Sequence, residues 1–262
     1  MTRKRVESVA DAVSGESVGI SVCMATYNGQ RFVRQQIESI VLQLSPTDEL
    51  VVVDDASSDT TCQIIEEFRD PRIRLHRNET NIGVVKTFER ALRLAQGELI
   101  FLSDQDDIWR EDKVATIKRE FESNPRTTLV MSNATILDVE GNALGRWNDH
   151  LPFHPSIPAT LLRNTYVGCL MAFRRTVVAL ALPFPYRIPM HDMWIGLVNR
   201  FVGKTAFIDE PLVFYRRHSG TVTGERAAVP TMILRRSIIA WHLLARICRL
   251  MGRNSRKAAT SK

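Results

Sequence analysis

Residues 98–109, ELIFLSDQDDIW, carry four consecutive apolar side chains, Leu99 to Leu102, into three carboxylates, Asp104, Asp106 and Asp107. An unbroken apolar run of this length reads as a strand buried on both faces. Acids crowded at its end repel one another unless a cation or hydrogen-bond donors compensate. Residues 49–59, ELVVVDDASSD, repeat the pattern with Asp54, Asp55 and Asp59. Both clusters follow a strand, so both arrive at the same rim of a sheet. A single cluster reads as turn formers or helix caps, because Asp is common where a strand gives way to a helix. Two clusters on one rim favour a hard divalent cation, which takes oxygen ligands and is shared with substrate phosphates.

Outward from these stretches the chain alternates strand and helix. GISVCMAT (19–26) reads as a strand and GQRFVRQQIESIVLQL (29–44) as a helix with Phe32, Val33, Ile37, Ile40, Val41 and Leu44 on its apolar face. A helix from about Thr60 to Phe68, a strand IRLHR (73–77) and a helix GVVKTFERALRLAQ (83–96) closed by Gly97 come next. After the acidic strand, a helix spans REDKVATIKREFESN (110–124). This order predicts an α/β fold, a mostly parallel sheet flanked by helices with its ligand site at the carboxyl strand ends. From Thr128 onward the order changes to an extended segment, a turn at Gly141 and a second extended piece. Residues 145–160, with Pro152, Pro155 and Pro158, are expected to be a loop. Beyond them lie an extended GCLMAFRR (168–175), a helix HDMWIGLVNRFVG (191–203) and the segment 205–220.

Composition excludes several classes. At 262 residues, 44% hydrophobic and 24% charged, the chain is ordinary globular protein. Its net charge of +6 is concentrated at one end: residues 225–262 hold nine Lys/Arg against one acid, leaving 26 basic and 28 acidic residues before them. A near-neutral body with a basic end does not suggest nucleic acid. The four cysteines form no CxxC pair, so neither a zinc site nor a redox motif is indicated, and a reducing, cytoplasmic setting fits. The polar first twenty residues do not read as a signal peptide. No run approaches the ~18 apolar residues needed to cross a bilayer.

Taken in order, SVCMATYNG, VVVDDASSD, NIGVVKTFERAL, IFLSDQDDIW, HDMW and YRRH resemble the bacterial family 2 glycosyltransferases, which have a GT-A fold. The likeness covers residues 20–224 and is strongest to rhamnosyltransferase members, where DQDD-x-W is frequent. It implies three segments: a polar leader (1–18), a GT-A domain (19–224) and a basic tail (225–262).

The resemblance also assigns roles. Ala25, Tyr27, Asp54 and Asp55 would hold the nucleotide base and ribose, with Asn81, Gly83 and Lys86 nearby. Asp104 would meet the ribose or metal-bound water, and Asp106 would ligate Mg²⁺ or Mn²⁺, with His218 completing the shell. Arg216 and Arg217 would counter the diphosphate charge, where the plainer reading is an exposed basic loop. Asp192, opening a helix, would be the base that deprotonates the acceptor; without the resemblance it reads as a helix cap. Gly168, Cys169 and Trp194 would line the acceptor side, although Trp194 could equally be core. The donor expected is a dTDP- or UDP-sugar, with rhamnose a candidate, and the acceptor a cell-surface glycan or its lipid-linked form.

In the tail, helical spacing places Arg235, His242, Arg246 and Arg249 on one face among Ile, Leu, Trp and Met. Such a helix packs on its own domain or a partner, or lies on the inner face of the plasma membrane. A sugar nucleotidyltransferase or a dehydrogenase would open with a Gly-rich phosphate loop, which CMATYNGQR is not. A non-catalytic scaffold that binds nucleotide sugars is the rival reading.

Overall fold

The computed structural model describes residues 19–217 and 229–260. Strand β1 (Ile20–Thr26) leads through α1 (Val33–Val41) to β2 (Glu49–Asp54), then α2 (Thr61–Glu66), β3 (Ile73–Arg77), α3 (Val84–Leu94) and β4 (Leu99–Ser103). These four strands are parallel, in the order β3-β2-β1-β4. Every residue of β2 is buried, and Leu50 to Val53 are 0% exposed, as expected of a strand covered by helices on both faces.

The second half makes the sheet mixed. β5 (Ile108–Trp109) is followed by α4 (Lys113–Ser123), β6 (Thr127–Leu137) and β7 (Ala143–Arg146). β8 (Met171–Arg174) joins β4 and β6 antiparallel, while β9 (Lys204–Arg216) runs parallel to β6 and antiparallel to β5. The path is therefore β3-β2-β1-β4-β8-β6-β9-β5, with β7 on β6. The all-parallel pairing read from the sequence holds for the first four strands and ends there, because β8 enters antiparallel between β4 and β6.

Residues 145–160, expected as a loop, contain two short helices in part, α5 (Trp147–His150) and α6 (Ile157–Leu162). Ser156 caps the second, accepting from the Ala159 N–H at 3.3 Å, and Pro158 occupies its first turn. The chain continues through α7 (Arg175–Ala181) and α8 (His191–Asn199) to a long C-terminal helix, α9 (Val229–Thr260). α9 packs against α6 and α8, burying Ile239 and Leu243 in the common core.

Candidate active site

Parallel register decides what meets at the rim. Thr26 pairs with Asp54 and Met24 with Ser103, so the loops after β1, β2 and β4 leave from one edge. Asp54 is fully buried there and accepts from Thr26 Oγ1 (2.9 Å), the Ser57 N–H (2.9 Å) and Ser57 Oγ (2.5 Å). Asp55 accepts from Asn78 Nδ2 (2.7 Å) and from the backbone N–H groups of Ile82 (2.9 Å) and Gly83 (2.8 Å). Both carboxylates thus shape the loops around the site. The anion attracted by the start of α3 is the chain's own Asp55. Gly83 sits at φ +86°, a conformation that favours glycine. On the same rim Tyr27 is 48% exposed, Ala25 is half-buried and Asn81 is exposed, while Lys86 Nζ reaches Glu89 at 2.7 Å.

Gln105 ties the acidic loop to the first strand. Its Oε1 accepts from the Tyr27 N–H (2.9 Å) and its Nε2 donates to the Tyr27 carbonyl (3.0 Å). A Cβ on Gly29 would stand 2.1 Å from Gln105 Oε1, so this side chain needs the glycine. The middle residue of DQD, which the sequence left without a role, is a clamp.

Asp104, Asp107 and Cys169 bring their ligand atoms within 4.8 Å of one another. Burial, then Asp106, Asp107 and Asp192, hold the Asp104 carboxyl well above its usual range. Burial and Asp106 push Asp107 to about 7. Asp107 Oδ1 accepts from the Arg216 N–H at 3.2 Å, and Oδ2 is buried without a hydrogen-bond partner among the described residues. Lys113, unforeseen from sequence, is wholly buried beside them. Its Nζ donates to the Cys169 carbonyl (2.8 Å) and lies 3.9 Å from the Trp109 ring centroid, and burial pulls it down to about 7. Burial and the neighbouring acids raise the Cys169 thiol, keeping it protonated rather than nucleophilic.

Negative groups here outnumber positive ones, and the buried cation beside them is pushed toward neutrality. One buried carboxylate oxygen is unpartnered. The carboxylates of this set, though not the Cys169 thiol, suit a hard divalent ion. Asp106 sits half-buried in the same loop. His218 lies outside the described residues.

Asp192, 6% exposed in the first turn of α8, faces this cluster closely enough for its charge to raise Asp104. Burial raises Asp192 to about 6, opposed by hydrogen bonds from the Met193 N–H, Asn164 Nδ2 (3.3 Å) and the Gly168 N–H, and by Arg236. His191 beside it stacks on Phe88 with centroids 4.1 Å apart, and burial drives it down to about 3, so it is a neutral packing residue. A Cβ at Gly168 would come 3.0 Å from His191 Nε2, which explains why that position is glycine. Trp194 does not line the site: it is 0% exposed and its Nε1 donates to the Ala181 carbonyl at 2.9 Å. With its ring in the core and its one polar atom satisfied, it has no face for a sugar. Cys169 is likewise buried, contributing its carbonyl and thiol rather than a surface.

At the end of β9 the Arg216 guanidinium donates to Gln35 and lies 5.0 Å from the Phe32 ring centroid, next to Asp107. Arg217 is exposed, 5.8 Å from the Trp147 ring, and its N–H donates to the Leu137 carbonyl at 2.9 Å.

A mixed sheet, with acids at the carboxyl rim of its parallel half and a buried carboxylate opening a helix opposite them, defines a GT-A-type α/β enzyme fold. Residues 21–179 match the model of glycosyl transferase family 2, and the chain belongs to that family. It is 26% identical over 232 residues to TuaG, a glycosyltransferase assigned to teichuronic acid biosynthesis in Bacillus subtilis (strain 168), covering 86% of this chain and 90% of that one. It is 28% identical to WfgD of Escherichia coli, a UDP-Glc:alpha-D-GlcNAc-diphosphoundecaprenol beta-1,3-glucosyltransferase, over 69% of this chain and 70% of the relative. Among solved structures, S. aureus TarS 1-349 in complex with UDP-GlcNAc superimposes with a TM-score of 0.67 at 18% identity. The match covers 84% of this chain and 66% of the TarS 1-349 chain.

Proposed function

We propose that this chain is a metal-dependent inverting glycosyltransferase that moves a sugar from a nucleotide-diphosphate donor to a cell-surface glycan or its lipid-linked precursor. The observation that carries this reading is a buried carboxyl, Asp192, close enough to the Asp104–Asp107 cluster for its charge to act on Asp104. Inversion requires a base on the acceptor side. Asp192 would take the proton from the acceptor hydroxyl as that oxygen attacks the anomeric carbon, on the face opposite the departing nucleoside diphosphate.

Asp104, Asp106 and Asp107, with His218 as a further candidate, would hold Mg²⁺ or Mn²⁺. When bound, such an ion neutralises charge on the leaving diphosphate. Arg216, and more loosely Arg217, would add positive charge there. Tyr27 offers its exposed ring to the base, with Ala25 and Asn81 alongside. Asp54 and Asp55 would act on the nucleotide chiefly by shaping the loops that receive it. Gly168 would supply backbone on the acceptor side.

The donor would be a dTDP- or UDP-sugar. The DQDD-x-W likeness favours rhamnose, while the UDP-Glc used by WfgD and the UDP-GlcNAc bound to TarS favour a UDP-hexose. The catalytic unit would be residues 19–224, with 1–18 as leader and 225–262 as tail, working in the cytoplasm at the inner face of the plasma membrane. A thermal-shift screen of UDP, dTDP and GDP with and without Mn²⁺ tests the reading, since a ligand of the native state raises its melting temperature. A rise of several degrees with UDP or dTDP that needs Mn²⁺ and vanishes in Asp106→Ala is expected. No shift with any nucleotide would overturn it.

A further inference from the structure

A thiol stands among the acids of the rim, and strand pairing puts it there. Cys169 lies in the short 3₁₀ turn Gly168–Leu170 that leads into β8, whereas Asp104 and Asp107 sit in the loop that leaves β4. β4 and β8 are antiparallel, Leu99 opposite Arg174 and Phe101 opposite Ala172, so the end of one strand meets the start of the other. As a result Cys169 Sγ and one carboxylate oxygen each of Asp104 and Asp107 lie within 4.8 Å of one another. Bonds of about 2.1 Å to oxygen and 2.3 Å to sulfur span nearly that separation, so small side-chain adjustments would let one ion touch all three. A second observation points the same way. Asp107 is 0% exposed; its Oδ1 accepts from the Arg216 N–H, and its Oδ2 has no hydrogen-bond partner among the described residues. A buried carboxylate oxygen left without a donor is costly unless something positive meets it.

We propose that Cys169 is a ligand of the ion at this site, joining Asp104 and Asp107 through its sulfur, and that the site therefore takes a borderline divalent ion such as Zn²⁺ or Co²⁺ in preference to Mg²⁺. The proposal rests on the reading that the acidic cluster holds a divalent ion. Oxygen ligands alone suit Mg²⁺ or Mn²⁺, and a sulfur ligand moves the preference toward softer ions. Coordination exchanges the S–H bond for a metal–sulfur bond and releases the proton to solvent. Two carboxylates and a thiolate then exceed the charge of the ion by one. Lys113, wholly buried with its Nζ donating to the Cys169 carbonyl at 2.8 Å, supplies the balancing charge. Three ligands from the chain also make a site that fills before any nucleotide arrives and keeps a position open to substrate.

Co²⁺ is the probe, because a thiolate ligand gives it an intense near-ultraviolet charge-transfer band that oxygen ligands do not. The parent is the full chain carrying Cys62→Ser and Cys248→Ser, which removes the two thiols that are not fully buried. Titration with Co²⁺ in the absence of nucleotide is expected to raise the band until one ion is bound per chain, counted separately by equilibrium dialysis. Cys169→Ser and Cys169→Ala are expected to lose it, with melting temperature as the check on folding. Zn²⁺ should erase the band at a concentration where Mg²⁺ leaves it unchanged; equal displacement by Mg²⁺ would overturn the stated preference. X-ray absorption at the zinc edge of the loaded parent needs no Cys169 variant and should show one sulfur neighbour at about 2.3 Å. Co²⁺ bound without the band, a band that survives in folded Cys169 variants, or zinc with oxygen neighbours alone would overturn the proposal and leave a carboxylate ion site standing. Failure of the underlying reading looks different: dialysis would find no Co²⁺ or Mn²⁺ on the protein, with or without UDP, and the proposal would fall with it.

Discussion

The surroundings of Asp192 would prepare it for the role of base proposed above. A carboxylate in water titrates near 4 and is a weak base; burial against α8 moves it to about 6, closer to working pH. Transfer is therefore expected to fall as pH drops through about 6, because the protonated acid cannot accept the acceptor's proton. Asp192→Asn, nearly isosteric, should lower turnover by roughly 10²–10⁴-fold while leaving nucleotide-diphosphate binding intact; a pH–rate profile beside a binding titration checks both. The acid opening HDMW was visible in the sequence. Its elevated proton affinity was not, because that comes from burial in the folded protein, which hydrogen bonds from Asn164 and Gly168, 28 and 24 residues away in the chain, only partly offset. Lys113 was hidden for the same reason. In REDKVATIKREF it is one charged residue among several, and only the Cys169 carbonyl and the Trp109 ring meeting it in the fold mark it as a buried amine.

Elements carry the next level of control. The Gln105 clamp on Tyr27 ties the loop after β4 to the loop after β1, fixing Tyr27 relative to the acidic loop. Gly29→Ala forces a Cβ into Gln105 and should weaken nucleotide binding about tenfold with little loss of fold, measurable by calorimetry. The docking of α9 depends on Arg246 in a similar way. Arg246→Ala removes three charge-assisted hydrogen bonds to carbonyls left unpaired at the end of α7, costing about 2 kcal/mol. For a chain of this size that should lower the melting temperature by roughly 5 °C, which a thermal melt resolves. Helical spacing placed Arg246 and His242 on a polar stripe. It could not say that these two turn inward while Arg235 and Arg249 stay exposed, with His242 Nε2 3.1 Å from the Tyr186 carbonyl.

At the scale of the whole molecule that inversion leaves apolar side chains outside. Leu234 (61%), Trp241 (69%) and Leu244 (60%) are exposed on α9, with Arg235 and Arg249 exposed near them. If the tail works at an anionic membrane surface, these residues bind it. The chain should then co-float with vesicles containing acidic phospholipid, less so at high salt, and Trp241→Ser should reduce the bound fraction several-fold. No helix among the described residues is long and apolar enough to cross a membrane.

Local patterning determined the β1–β4 half of this protein and the acids at its rim, because parallel strands buried on two faces leave an unbroken apolar signature that ends where the loops begin. The mixed half was less legible: β8 has only four residues and its neighbours are set by register, not by period. Tertiary structure alone decided which acids are spent inside loops and which remain to act. It also decided that Trp194 is core and that the tail helix buries Ile239 and Leu243 in the domain. Burial and charge proximity are properties of the folded neighbourhood, and no window along the chain contains them.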